Sequence, residues 1–183
     1  MIYYRKLFPA DRPKIKAHFL RLSTEDRARR FHGLLSEDTV RAYCTGFDWS
    51  KRAVIGGFEF DRLVGIAEIV QTAPDQVEIA VSVEASYRHH GVGRELVRRA
   101  VDSAANRGAS VAVLDYVKGD PSVPHIAASL GGHVDGMSGT AEITPPAHDT
   151  ANEVEELLED IAGAVSWAAE FFLWPLRLAA RRS

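Results

Sequence analysis

Hydrophobic and polar positions along the chain change period several times, and each change marks an element. Residues 2–7 (IYYRKL) read as a short strand, and Pro9 to Leu22 carries Ile15, Phe19 and Leu22 at helical spacing. Ser23, followed by Glu25 and Asp26, opens a short helix to about Phe31: its hydroxyl can accept from a free backbone N–H, and the acids suit the positive end. Ser36-Glu37-Asp38 repeats that signal ahead of Val40 and Tyr43. The period then shortens. AVIGGFEF (53–60) and LVGIAEIV (63–70) flank Asp61-Arg62 at hairpin spacing, and QVEIAVSV (76–83) predicts a third strand. Arg94 to Arg107 returns to helical spacing, with Leu96, Val97, Ala100, Val101 and Ala104 on one stripe and Gly108 as the stop. SVAVLDY (110–116) reads as a buried strand, Asp120-Pro121 caps a helix from Val123 to Leu130, and HVDGM and TAEIT read as closing strands. The order predicts an α/β fold with a mixed, mostly antiparallel central sheet flanked by helices.

The pattern shifts again after residue 144. Pro145-Pro146 reads as a hinge, and Thr150-Ala151-Asn152-Glu153 fits a capping box for a long helix from about Asn152 to Arg181. Two units are therefore expected, a domain over 1–144 and a C-terminal helical extension over 145–183. Beyond Gly163 nearly every face of that helix is apolar, which predicts docking on its own domain or on a second copy as a homodimer. Membrane contact is the lesser reading, because Glu170, Pro175 and Arg177 interrupt the apolar run.

Composition narrows the choices. The 183 residues carry a net charge of −3, spread unevenly: residues 1–118 hold 19 Lys/Arg against 15 Asp/Glu, and residues 119–176 hold ten acids and no Lys or Arg. No segment concentrates enough positive charge for a nucleic-acid footprint, while a mildly positive half suits a small phosphorylated ligand. Cys44 is the only cysteine, which excludes intrachain disulfides and cysteine-based zinc sites. No metal site is expected, since His89 and His90 diverge on a turn and no third ligand is evident. No uninterrupted apolar segment opens the chain, and a cytoplasmic protein is expected. His18, His32 and His133 are expected on partly exposed faces, Cys44 in the core, and Arg27, Arg29 and Arg30 on a solvated helix face.

The sharpest local feature is Tyr87-Arg88-His89-His90-Gly91-Val92-Gly93, between a strand and a helix. Two glycines one residue apart let the backbone approach a bulky anion, and the unpaired N–H groups at the start of the following helix attract phosphate. Arg88 and Arg94 add cationic partners. A Walker loop would end in Gly-Lys-Ser/Thr, which is absent, and a dinucleotide fingerprint would need a third glycine where Arg94-Glu95-Leu96 follows.

The strand Glu78-Ile79-Ala80-Val81-Ser82-Val83, continued by Arg88-His89-His90-Gly91-Val92-Gly93, resembles the acyl-CoA-binding segment of the GNAT acyltransferase superfamily, whose pattern is Arg/Gln-x-x-Gly-x-Gly/Ala. Leu22-Ser23, Arg30-Phe31 and Glu78-Ile79-Ala80-Val81 are similar, more loosely, to the acetyltransferase domain of bacterial protein-lysine acetyltransferases. The resemblance covers roughly residues 1–144 and implies acetyl-CoA as donor. It implies main-chain contacts from Val81 and Val83 to the pantetheine arm. Arg88, His89, His90, Gly91, Val92, Gly93 and Arg94 would surround the pyrophosphate, and Glu78 would be the general base.

The implied chemistry is an N-acetyltransferase. An alkylammonium with a solution pKa near ~10.4 must lose a proton before its nitrogen attacks the thioester, and a carboxylate such as Glu78 can take it directly or through water. No covalent intermediate is needed, and the sequence offers no plausible nucleophile–base pair. The acceptor is a primary amine, a protein lysine or a small molecule. Three positions depart from the family pattern, one of them Gly132, which replaces the Phe of the Gly-Phe that often ends the helix after the fifth strand. Asp120 stands where the family often has a cofactor-contacting Asn, and Ala127 stands where a Tyr often protonates the leaving thiolate. Tyr116, Ser122 and His125 are the remaining candidates for that acid. The missing tyrosine leaves a non-catalytic acyl-CoA-binding regulatory module as the alternative.

Overall fold

The computed structural model describes residues 1–147. The predicted helix over 152–181 and its docking lie outside the described residues. A strand, β1 (Ile2–Lys6), leads through a 3-10 turn (Pro9–Asp11) into α1 (Arg12–Arg21), α2 (Thr24–Phe31) and α3 (Glu37–Thr45). Three strands follow, β2 (Arg52–Glu59), β3 (Arg62–Ala73) and β4 (Gln76–Val83). Then come α4 (Val92–Asn106), β5 (Val111–Asp115), α5 (Ser122–Ser129), β6 (His133–Asp135) and β7 (Thr140–Ile143). The sheet runs β1-β2-β3-β4-β5-β7-β6, antiparallel at every step except the parallel β4–β5 pair.

Alternation along the strands splits the core into two layers. On one face Ala53, Ile55, Ala67, Ile69, Val77 and Ile79 pack against the α4 stripe of Leu96, Val97, Ala100, Val101 and Ala104. On the other, Val54, Phe58, Leu63 and Ile66 pack against Ile15, Phe19, Val40 and Cys44 of α1 and α3. The two serine caps form as the sequence predicts: Ser23 Oγ accepts from Asp26 N at 3.0 Å and Ser36 Oγ from Thr39 N at 3.2 Å. Cys44 is buried and burial pushes its thiol up to about 11, so it packs rather than reacts.

Several expectations are corrected by packing. The hairpin turn falls at Phe60-Asp61, one residue earlier than Asp61-Arg62, with Phe60 at φ 52°. α4 begins at Val92 instead of Arg94, because Gly91 takes φ 79° and launches the helix there. His18 is not on an exposed face: it is completely buried, as its place in the stripe Ile15-His18-Phe19-Leu22 requires. Arg30 is not solvated. Its guanidinium turns inward onto Glu68, with a side chain only 10% exposed. No helix among the described residues is long and apolar enough to cross a membrane.

Candidate active site at the divergence of two strands

β4 and β5 pair only over Gln76–Val111, Val77–Ala112 and Glu78–Val113. Beyond Glu78, β4 runs on for five residues with no partner on that side. Their amide directions follow from one bond. Glu84 N donates to Val64 O of β3 at 2.9 Å, so strand alternation turns the N–H groups of Ala80 and Ser82 toward β3 as well. Those of Ile79, Val81 and Val83 turn the other way, where Ile79 closes the last bridge to β5 and Val81 and Val83 face the opening. Main-chain donors thus line the cleft at Val81 and Val83.

The far end of the cleft is the start of α4. The first bond within the helix runs from Glu95 N to Gly91 O at 3.0 Å, so the N–H groups of Val92, Gly93 and Arg94 precede the hydrogen-bonded ladder. No side chain caps this end. Gly91 has nothing within 4 Å of where a Cβ would sit, whereas a Cβ on Gly93 would meet Ile126 Cδ1 at 3.2 Å and Val83 Cγ2 at 3.7 Å. A side chain at Gly93 would therefore project into the cleft between β4 and α5. Uncapped, positively polarised amides beside a side-chain-free backbone make an anion cradle.

The loop into this cradle is tied down by Arg88. Its Nε donates to Val83 O at 3.1 Å and its guanidinium pairs with Asp26 of α2 at 2.7 Å. Burial alone would raise the Asp26 carboxyl, but the bond from Arg88 holds it below the ordinary range. The Arg88 guanidinium is thus committed to holding the loop, which leaves its backbone to face an anion. His89 adopts φ 61°, and His90 Nδ1 lies 2.6 Å from Arg88 O, both rings being exposed. Arg94 reaches across to Ser129 Oγ of α5 at 3.2 Å. Asp120 accepts from Ser122 N at 2.9 Å and faces Arg29 of α2 at 3.6 Å, spanning the mouth of the opening.

Two carboxylates lie on the sheet face toward α1–α3. Glu68 pairs in register with Ala80, and Glu78 is two residues along from Ala80, so the two share that face. Their surroundings differ. Glu68 is 1% exposed and accepts from Tyr43 Oη at 2.7 Å, from Arg52 at 2.9 Å and from Arg30. Burial and Glu68 together push the Tyr43 hydroxyl up to about 12, which keeps it a donor. Glu78 is half-buried and enters no ion pair or side-chain hydrogen bond among the described residues. It stands where the two strands part, with its carboxylate uncommitted. Of the two carboxylates, Glu68 is committed to its partners and Glu78 is not.

The family profile described as the Acetyltransferase (GNAT) family matches residues 6–131, which spans both the cradle and the strand carrying Glu78. The chain belongs to the GNAT family. Solved structures agree on the fold. The GNAT domain of S. lividans PAT is 18% identical, with a TM-score of 0.62 over 76% of this chain and 86% of that one. The yncA protein from Salmonella typhimurium, solved with its cofactor acetyl-CoA, is 18% identical, with a TM-score of 0.60 over 81% and 96%. The ribosomal-protein-S18-alanine N-acetyltransferase from Escherichia coli is 15% identical, with a TM-score of 0.61 over 81% and 97%. No curated protein matches the sequence.

In this GNAT chain the position read as lacking the acid tyrosine is Ala127, fully buried in α5. Tyr116 does not take its place, because its hydroxyl donates to Asp135 O at 3.3 Å, on the β6 side. Ser122 and His125 are exposed on α5. Among the described residues no group of three or more His, Cys, Asp and Glu side chains converges to hold a metal. Two clusters escaped the sequence reading: Arg30, Arg52 and Tyr43 around Glu68, and His18 with Ser82 and Glu84. A lone Glu68 inside the apolar run LVGIAEIV was the available signal for the first, since a buried carboxylate demands partners.

Proposed function

We propose that the chain is an N-acetyltransferase that moves acetyl from acetyl-CoA to a primary amine by direct attack, with Glu78 as general base. The observation that carries this reading is the continuity of donors from the open edge of β4 to the uncapped start of α4. A thioester arm running along Val81 and Val83 would deliver its diphosphate to the amides of Val92, Gly93 and Arg94. The acetyl-CoA bound by the Salmonella yncA protein supports this choice of donor.

Each residue then has a task. Glu78 accepts a proton from the incoming ammonium, exposing the nitrogen lone pair. The nitrogen attacks the thioester carbonyl carbon, and charge gathers on the carbonyl oxygen, where the cleft-facing N–H of Val81 can stabilise it. The C–S bond breaks with its electron pair on sulfur, the attacking nitrogen sheds its extra proton to become the amide, and the thiolate takes up a proton through solvent. Arg88 and Asp120 act indirectly, one fixing the phosphate loop and the other capping α5 at the opening.

The favoured acceptor is an amine on a protein. Support comes from the likeness to the PAT domain and from the neighbour that acetylates ribosomal protein S18 at alanine. The alternative, a non-catalytic acyl-CoA-binding module, draws its support from the absence of a tyrosine at Ala127. Thiol release measured against a panel of lysine peptides, N-terminal peptides and small amines separates the two. Acetyl-CoA turnover above the acceptor-free rate is expected, highest with a peptide amine. Binding of acetyl-CoA without turnover on any amine would favour the module, and no binding at all would end both.

A further inference from the structure

α2 carries charge where a packed helix carries apolar side chains. None of its residues is fully buried. Three of the positions that face the domain are Asp26, Arg29 and Arg30, spaced i, i+3 and i+4 and so on one side of the helix. Each holds a different part of the site. Asp26 takes the Arg88 guanidinium at 2.7 Å, on the loop after β4. Arg29 faces Asp120 at 3.6 Å, on the loop after β5. Arg30 turns onto Glu68 of β3, on the sheet face that also carries Glu78. α2 therefore crosses the place where β4 and β5 part, on the side where Glu78 stands.

The two ends of the helix are held differently. At its C-terminal end the Phe31 ring lies 5.2 Å from that of Phe19 and 5.1 Å from that of Tyr43, beside the Arg30–Glu68 pair. The N-terminal turn has the Ser23 cap and the Asp26–Arg88 pair, whose side chains are 13% and 34% exposed. A helix anchored by packed rings at one end and by an ion pair at the other opens most easily at the second. The far partner of that ion pair belongs to the anion cradle. Arg88 also donates to Val83 O, and His89 after it sits at φ 61°. Fixing this loop fixes the partner of Asp26. An ordinary surface ion pair would account for Asp26–Arg88 taken singly. It would not account for one helix face that meets the loop after β4, the loop after β5 and the sheet beside Glu78.

We propose that Asp26 is a positioning residue that couples the two halves of the cleft: through Arg88 it passes the order of the diphosphate loop to α2, so that a bound cofactor firms the wall past which the amine approaches Glu78. This rests on the acetyl-CoA reading and adds an order of events, donor first and acceptor second. Diphosphate oxygens on the amides of Val92, Gly93 and Arg94 hold the loop, the loop holds Arg88, and Arg88 holds the first turn of α2. The helix is then ordered before the amine arrives, and the amine binds without that entropic cost. Coupling of this kind is reciprocal, so a chain that has lost Asp26 should also bind the donor more weakly.

Hydrogen exchange of the full-length protein with and without coenzyme A reads the coupling, and calorimetry reads the affinity. Coenzyme A is the probe because it carries the diphosphate and has no acetyl group to transfer. In the wild type it should slow exchange in the peptide spanning residues 87–94. Exchange over residues 24–31 should slow with it, by about fivefold or more, the low end for coupled sites. In Asp26→Asn the first effect should remain, the second should vanish, and affinity should fall by about fivefold. Asp26→Glu, which keeps the charge, should restore both. A purely structural contact, once lost, would speed exchange over 24–31 equally with and without coenzyme A and leave the cofactor-dependent step intact; that result overturns the proposal. So does a wild type in which coenzyme A protects 87–94 and leaves 24–31 unchanged. If neither peptide responds, the diphosphate does not sit in this cradle, and the acetyl-CoA reading falls and takes the coupling with it.

Discussion

Glu78→Gln should lower kcat for amine acetylation by about 10²- to 10⁴-fold while leaving acetyl-CoA affinity within about twofold of wild type. The amide keeps the size of the side chain and its hydrogen-bonding reach, so the strand around it has no reason to move. Only the capacity to hold a proton is lost. The affinity should survive because the donors assigned to the cofactor are main-chain amides of Val81, Val83, Val92, Gly93 and Arg94, none of which depends on residue 78. The defect should also shrink as pH approaches the amine's own pKa, near ~10.4 for a lysine, where the nucleophile sheds its proton without help. Steady-state kinetics from pH 7 to 10, paired with calorimetry, reads all three effects. A variant that binds and turns over like wild type at pH 7 would remove Glu78 as the base.

The second large effect is on stability. Glu68→Ala should lower the unfolding free energy by about 3–5 kcal/mol, because two guanidiniums would remain buried without their carboxylate. Arg30 and Arg52 side chains are 10% and 18% exposed, and both meet on the two oxygens of Glu68. Tyr43 would lose its acceptor as well. Replacing Arg30 by Met in the same chain should recover part of the loss, since it removes one of the stranded charges; a double-mutant cycle measures that coupling. Urea unfolding followed by circular dichroism is the measurement. A Glu68→Ala chain destabilised by less than about 1 kcal/mol would show that water reaches the arginines and that the cluster is not a buried unit.

The same cluster shows how far the sequence can be read. Strand alternation in QVEIAVSV, the two serine caps and the stripe from Leu96 to Ala104 are all local patterns, and the structure follows them. The segment that resembles an acyl-CoA-binding stretch is local in the same way, running without a break from Glu78 to Arg94. What the sequence hid was nonlocal. Arg30 meets Glu68 across 38 residues and His18 meets Ser82 across 64, and no spacing rule links such pairs. Arg27, Arg29 and Arg30 looked alike as members of a charged helix; packing of Phe31 against Phe19 and Tyr43 turned that side inward and took Arg30 with it. His18 was the avoidable miss. Its spacing from Ile15 and Leu22 already placed it on the buried stripe, where an imidazole must find polar partners.

The cleft itself could be inferred only in part. That β4 and β5 part after Glu78 is a property of pairing, not of either strand's own residues. Gly93 could be marked as a glycine that mattered, but not for which reason. The structure shows that a Cβ there would crowd Ile126 and touch Val83, so its bareness keeps the space between strand and helix clear.

The most direct test is a crystal structure of the chain with acetyl-CoA bound. Diphosphate oxygens are expected within hydrogen-bond reach of the amides of Val92, Gly93 and Arg94, with the pantetheine arm lying along Val81 and Val83 and the thioester opposite Glu78. A well-ordered cofactor seated elsewhere, with the space between β4 and β5 closed by side chains, would contradict it.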